Sequence, residues 1–310
     1  MLDQILTEAF LEAVIRAMIP ILLAAMGGLI AERSGVFQIS LEGSILAGAF
    51  GAVAASYATG SSLVGVLAGG LAGILISLIL AFGAVSRKAD PIVLGIAINL
   101  FALGFTGFLL TQIFDIRGSF SDPAIVGLPD WRIPGLSSIP GVGSAFFELT
   151  ALGYIAFLSV PVLWFVLFRT TVGLRLRGVG EHPTAARTLG VSVVRYRYGA
   201  VGFSGLMAGL GGAQLSLSNV VLFTDGMSAG RGWIAIVGVM LGRAHPVAVL
   251  GVVGLFGFSE AYGFRLQGNG LPSQITDALP FAVTIVALAV SRKRFAKLLN
   301  LAATPPEVGE

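Results

Sequence analysis

Long stretches of this chain contain no Asp, Glu, Lys or Arg: Gly43 to Ser86, Pro91 to Phe114, Leu149 to Phe168 and Tyr198 to Thr224. Crossing the hydrocarbon of a bilayer takes about 20 apolar residues. The first window therefore holds two spans and each of the others one. Shorter apolar runs at Ala17–Ala31, Ala244–Ser259 and Ala278–Ser291 become spans once their polar ends sit at the interface or against protein. The pattern predicts an all-α fold, a polytopic membrane helical bundle of about nine transmembrane helices (8–10). The expected spans are 13–31, 43–59, 62–85, 91–113, 149–168, 198–217, 229–243, 246–264 and 276–291, in a single transmembrane domain over 1–310.

The connections carry the charge. "SRKAD" (86–90) is short and basic, the segment 169–197 holds Arg169, Arg175, Arg177, Arg187, Arg195 and Arg197, and "RKRFAK" (292–297) is basic again. Basic loops face the cytoplasm, and the predicted span count between these segments is even, as one shared side requires. This topology puts the C-terminus in the cytoplasm and the N-terminus outside. Of the 19 Lys and Arg, all but Arg16, Arg117, Arg132, Arg231 and Arg265 then face inward. The connection 115–148, with Pro123, Pro129, Pro134 and Pro140, reads as an extracytoplasmic loop with short surface elements.

Composition sharpens the class without changing it. Hydrophobic residues make up 55% of the chain and charged residues 11%, against about 25% charged in soluble domains; mean hydropathy is +0.92. The net charge of +3 reflects loop topology, so no nucleic-acid partner is expected. There is no cysteine and hence no disulfide or thiol chemistry. Asp3, Glu8 and Glu12 precede the first apolar run, where a cleaved signal would be basic. Gly65, Gly69 and Gly73, and Gly205 and Gly209, recur every four positions and read as close helix packing.

Two polar breaks interrupt this apolar background. "AERSGVFQISLEGS", Ala31 to Ser44, crowds Glu32, Arg33 and Glu42 between two spans. Non-helical backbone at membrane depth survives only where protein or water satisfies it, and a central carboxylate costs about 2.5–3.5 kcal/mol. Glu42 therefore either marks a helix start at the interface or lines a hydrated path. A related pattern runs from Leu206: a Gly-Gly pair, a polar break, then a small-residue helix. With the predicted topology the two copies form an inverted repeat, the arrangement that builds central sites in many transporters. Asn99, in the middle of the fourth span, suits either interhelical bonding or a polar solute; Glu260 and Arg16 are further intramembrane polar candidates. In the basic segment, Pro183 begins a short helix that Gly190 stops, and small Ala185 and Ala186 would let it dock into a partner's groove or simply lie on the surface.

Four blocks carry a resemblance: "ERSGVFQISLEGSILAGAF", "ADPIVLGIAINLFALG", "GLRLRGVGEHPTAARTLGV" and "SAGRGWIAIVGVMLGRAHP". In this order they resemble the permease subunits of bacterial ABC importers of the nucleoside and simple-sugar type, related to ribose and branched-chain amino-acid permeases. The resemblance spans about residues 15 to 292. It implies a coupling helix for the ATPase, with Gly180, Glu181, His182, Pro183, Ala185, Ala186, Leu189 and Gly190 in the contact, and it places Ser40, Glu42 and Asn99 near the solute pathway. It further implies a second, similar permease chain, a cytoplasmic ATPase subunit, an extracytoplasmic substrate-binding protein and a bacterial inner-membrane location.

The chain lacks a G-x-x-x-x-G-K-[ST] phosphate loop and any Gly-Lys dipeptide. ATP and magnesium are thus expected in the partner ATPase, with no cofactor here. His182 and His245 are the only histidines, and neither a metal site nor a catalytic centre is expected. Two rival readings are an ion-gradient-driven secondary transporter using Glu42 or Glu260, and an intramembrane enzyme, which would lack a nucleophile or paired acids.

Overall fold

The computed structural model of the chain describes residues 8–135 and 143–268, and beyond these 276, 278, 279, 282, 283 and 286. In chain order the elements are α1 (Glu8–Arg33), α2 (Leu41–Thr59), α3 (Ser62–Ala81), α4 (Pro91–Phe114), β1 (Ser119–Phe120), β2 (Asp130–Arg132), α5 (Gly143–Phe147), β3 (Glu148–Thr150), α6 (Ala151–Arg169), α7 (Thr171–Glu181), α8 (Pro183–Thr188), α9 (Val193–Gln214), β4 (Phe223–Thr224), α10 (Arg231–Leu241) and α11 (Pro246–Gly268). One π-turn extends α3 over Phe82–Ser86 and another extends α9 over Leu215–Asn219.

Among the described residues, seven helices are long and apolar enough to cross a membrane: α1, α2, α3, α4, α6, α9 and α11. These correspond to seven of the predicted spans. The predicted span at 229–243 is corrected: α10 has 11 residues, which rise ~16 Å against ~30 Å of hydrocarbon. It is a half-helix. The predicted span at 276–291 lies outside the continuously described residues.

α1 is the central post. It is apolar on every side, and Ile21 to Met26 are fully buried, which a helix can be only when neighbours surround it. α9, α10 and α11 pack around it, α5 and α6 add further contact, and α2 touches it only lightly. α3 shows how sequence assigns faces. Leu63, Leu67, Leu71, Leu75 and Ile79, each four apart, are exposed, a stripe matched to lipid. On the other face Gly69 and Gly73 meet Gly205 and Gly209 of α9. A Cβ on Gly69 would lie 2.8 Å from the Gly48 carbonyl oxygen of α2, so the backbones touch where no side chain fits. Close approach of this kind holds helices together in lipid, where burial itself drives little.

One end of the bundle gathers Arg33, α7, α8 and Arg243 and is called here the basic end. The opposite, loop end holds the connection 115–148. That loop contains one short helix and strands of two small antiparallel pairs: β1 with β4, and β2 with β3. An ion pair from Arg16 of α1 to Asp130 (3.0 Å) fastens it to that helix.

Candidate solute pathway

At the basic end α1 stops at Arg33, and the chain turns through Gly35, whose φ of +77° suits glycine. It stays non-helical through Ser40 before α2 begins. Protein groups satisfy this break. Asn99 of α4 donates from Nδ2 to the Ile39 carbonyl (2.9 Å) and accepts at Oδ1 from Gly43 N–H (2.8 Å). Ser44 Oγ donates to the Ser40 carbonyl (2.9 Å). Gln38 Nε2 donates to Ser77 Oγ (2.9 Å) and Ser40 Oγ (3.2 Å). Unsatisfied backbone would be costly at this depth.

The charged residues of the same stretch hold α10 at both ends. Glu42 Oε1 accepts from Gly230 N–H (2.8 Å) and Oε2 from Gly232 N–H (2.7 Å), at the start of α10. Arg33 Nε donates to the Ala244 carbonyl (2.8 Å), and a terminal guanidinium nitrogen donates to that of Arg243 (3.1 Å), just past its end. A carboxylate at the N-terminus and a cation at the C-terminus each suit the helix dipole. The clamp sets Glu42 one length of α10, ~16 Å, from the level of Arg33. From this point α2 runs toward the loop end and α10 toward the basic end, so helices following the two polar breaks diverge from touching N-termini, as an inverted repeat requires.

Beside the junction lies a cavity of about 330 Å³, within the range of small-ligand sites, lined by Glu42, Asn99, Leu103, Ser228, Ala229 and Trp233 among others. It opens on the face shared by α4 and α10. Toward the basic end a second cavity of about 400 Å³ lies against Glu32, Arg33, Gly180, Glu181 and Arg243. Between the two, Phe37, Gln38, Leu41, Ile236 and Val239 leave about 10 Å³, the space of one water. This is a pinch between the two cavities. Gln38 is buried at this pinch, and its Oε1 has no hydrogen-bond partner among the described residues.

Of the expected pathway residues, Glu42 and Asn99 meet at the cavity wall, although Asn99 spends both ends of its amide on the break. Ser40 is fully buried behind it and does not line the cavity. The expected coupling segment sits at the basic end. α8 begins with Pro183, and Gly190 takes φ +78°, both as expected. Ala186 turns inward to pack with Val179 and Val193. Glu181, His182, Ala185 and Leu189 are exposed, Leu189 to 82%, so Leu189 is the apolar knob of this surface. Gly180 lies against the Arg33–Gly35 turn; a Cβ on Gly35 would lie 3.2 Å from both the Cα and the carbonyl oxygen of Gly180.

Arg231, expected at the outer surface, is instead partly buried at the start of α10 and ion-paired with Glu260 of α11, side chains 16% and 11% exposed. Sequence reasoning missed this pair as well as Ser228, Trp233 and the role of Arg33. Only the crowding of Glu32, Arg33 and Glu42 signalled the last, since their partners lie about two hundred positions away.

Comparison with known proteins agrees with this architecture. Residues 10–288 match the family model described as branched-chain amino acid transport system / permease component. The guanosine ABC transporter permease protein NupQ of Bacillus subtilis is 38% identical, over 87% of this chain and 87% of its own length. The nucleoside ABC transporter permease protein NupC of Lactococcus lactis is 36% identical, over 87% and 88%. Among solved structures, an ABC transporter described as of metal-chelate type, in an inward-facing conformation, superposes with a TM-score of 0.52 at 15% identity, covering 90% of this chain and 84% of that one; that likeness concerns the fold alone. A short helix clamped at both ends, inside a bundle of spans that matches this family from residue 10 to residue 288, identifies the chain as a member of the branched-chain amino acid transport permease family, the membrane-spanning component of ABC transport systems.

Proposed function

We propose that this permease carries nucleosides, or closely related nucleobase and sugar solutes, along the Glu42 cavity toward the basic end, which faces the cytoplasm. The single observation that carries this reading is the meeting of two helix N-termini on Glu42 beside a 330 Å³ cavity. Support for the substrate class comes from the guanosine and nucleoside permeases that the chain resembles. A second, similar permease chain sits against the open α4 and α10 face and completes the pathway. A cytoplasmic ATPase docks on 180–190, with Leu189 and Ala185 as its apolar contacts. A binding protein delivers solute at the loop end, placing the N-terminus outside and the C-terminus inside the bacterial inner membrane.

Transport then follows from population shift: ATP binding and solute delivery each favour one state of the pinch. Movement at α7 reaches the pinch through Gly180, the Arg33–Gly35 turn and the non-helical segment that ends at Leu41. A polar solute in transit meets Gln38 Oε1, whose acceptor is unused among the described residues. The test is uptake by proteoliposomes holding this chain, its sister permease and the ATPase, with the binding protein outside. ATP-dependent uptake of nucleosides but not of branched-chain amino acids is expected. Uptake by this chain alone under an ion gradient, or amino-acid uptake in place of nucleoside uptake, would contradict the reading.

A further inference from the structure

A cavity larger than the one at Glu42 lies away from the pathway. It is a groove of about 720 Å³ between α6 and α9, open sideways toward the membrane. Leu158, Val162 and Val166 form one wall, and Phe203 and Met207 the other. The two helices touch only sparingly, because α6 leans on α1 and α11 while α9 leans on α1, α2 and α3. The floor includes Gly199, where an added Cβ would meet nothing within 4 Å. The open space therefore reaches the helix backbone.

Three observations specify an occupant. The walls are apolar and their residues Leu158 (62%) and Val162 (46%) are exposed, so only an apolar chain gains by filling the groove. Its length from Arg195 to Met207 is ~18 Å along the helix, close to the ~15 Å depth of one leaflet. Its basic end is closed by Arg195 and Tyr196. Arg195 is exposed and has no ion-pair partner among the described residues. Arg175 is exposed nearby on α7, next to Leu176 of the groove wall. A cation at the headgroup level above an acyl-sized trough fits an anionic phospholipid. The α4 and α10 face, where the pathway opens, lies elsewhere on the bundle, since α4 packs on α2 and α3.

We infer that the α6–α9 groove is a binding site for an anionic phospholipid, with one acyl chain between the helices and the phosphate on Arg195. Native mass spectrometry of the delipidated full-length chain tests this, with phosphatidylglycerol and phosphatidylcholine of matched acyl chains as the probes. The wild type binds phosphatidylglycerol in preference. Arg195→Gln weakens that binding about fivefold, the worth of one cation near an anionic headgroup, and leaves phosphatidylcholine unchanged. Gly199→Trp, which fills the trough from an open position, weakens both lipids. Arg187→Gln, on α8 away from the groove, changes neither. Equal binding of the two lipids by the wild type overturns the proposal, as does an Arg187→Gln loss equal to that of Arg195→Gln. A Gly199→Trp variant that dissolves a chain dimer while keeping its lipid assigns the groove to a second copy and equally overturns it.

Discussion

At the scale of single residues the structure makes Glu42 and Asn99 unequal. Glu42 neutralises two backbone donors that begin α10, and bonds to a charged acceptor are worth about 1.5–3 kcal/mol each. Replacing Glu42 with Gln leaves one good acceptor and turns an amide N–H₂ toward a backbone donor. The expected outcome is a chain that inserts normally, melts at lower temperature and transports at least about tenfold more slowly, the rate equivalent of about 1.4 kcal/mol. Melting in detergent and uptake in proteoliposomes measure the two effects. Asn99→Leu removes both bonds to the break and should cost about 2 kcal/mol of stability; Asn99→Asp keeps the acceptor for Gly43 but sets a buried carboxylate against the Ile39 carbonyl, and is expected to cost at least as much. Glu42 was legible in the sequence as a charge that must be either interfacial or hydrated. Its backbone partners were not, because amides carry no sequence signature and Gly230 and Gly232 stand far along the chain.

At the scale of elements, the short half-helix α10 explains why the stretch from Glu32 to Glu42 is so polar. A helix of this length is marginal on its own, and its two ends are secured by residues of another segment, Arg33 and Glu42. Hydropathy alone reads this region as a span, since "WIAIVGVML" is apolar throughout. The length of the helix is set instead by Gly230 and Gly242 at its ends, and an apolar window does not report where helix becomes loop. The Arg231–Glu260 pair was missed for the same reason: a full span at this place would have put Arg231 at the surface. Removing either partner strands a partly buried charge, at about 1.5–3 kcal/mol. Arg231→Gln should therefore lower the yield of folded protein sharply, and the exchange Arg231→Glu with Glu260→Arg should recover part of it, as read by monodisperse elution. The link from the basic segment to the pinch has its own test. Gly180→Val drives a side chain into the Arg33 carbonyl. It should leave insertion intact while ATP hydrolysis continues with little uptake, measured as the ratio of the two rates in proteoliposomes.

For the molecule as a whole, the charge-free windows and the even count of spans between basic segments were enough to read a helical membrane bundle, and seven predicted spans correspond to helices of spanning length. Periodicity carried this because lipid imposes a minimum length on every span. What the sequence left hidden is how the spans are arranged: that α1 is central, that glycines join α3 to α9, and that the two polar breaks meet. These depend on contacts between distant segments. Together they leave a water-sized gap between the Glu42 cavity and the basic end. The chain has no cysteine, so a single introduced thiol reports on that cavity without background. The decisive measurement is the labelling rate of Ser228→Cys by a membrane-impermeant thiol reagent in the assembled transporter, with and without ATP and transported nucleoside. The account predicts labelling that changes with nucleotide state and is slowed by the nucleoside. A thiol at 228 that stays unreactive in every state while uptake proceeds at the wild-type rate would show that solute does not pass Glu42.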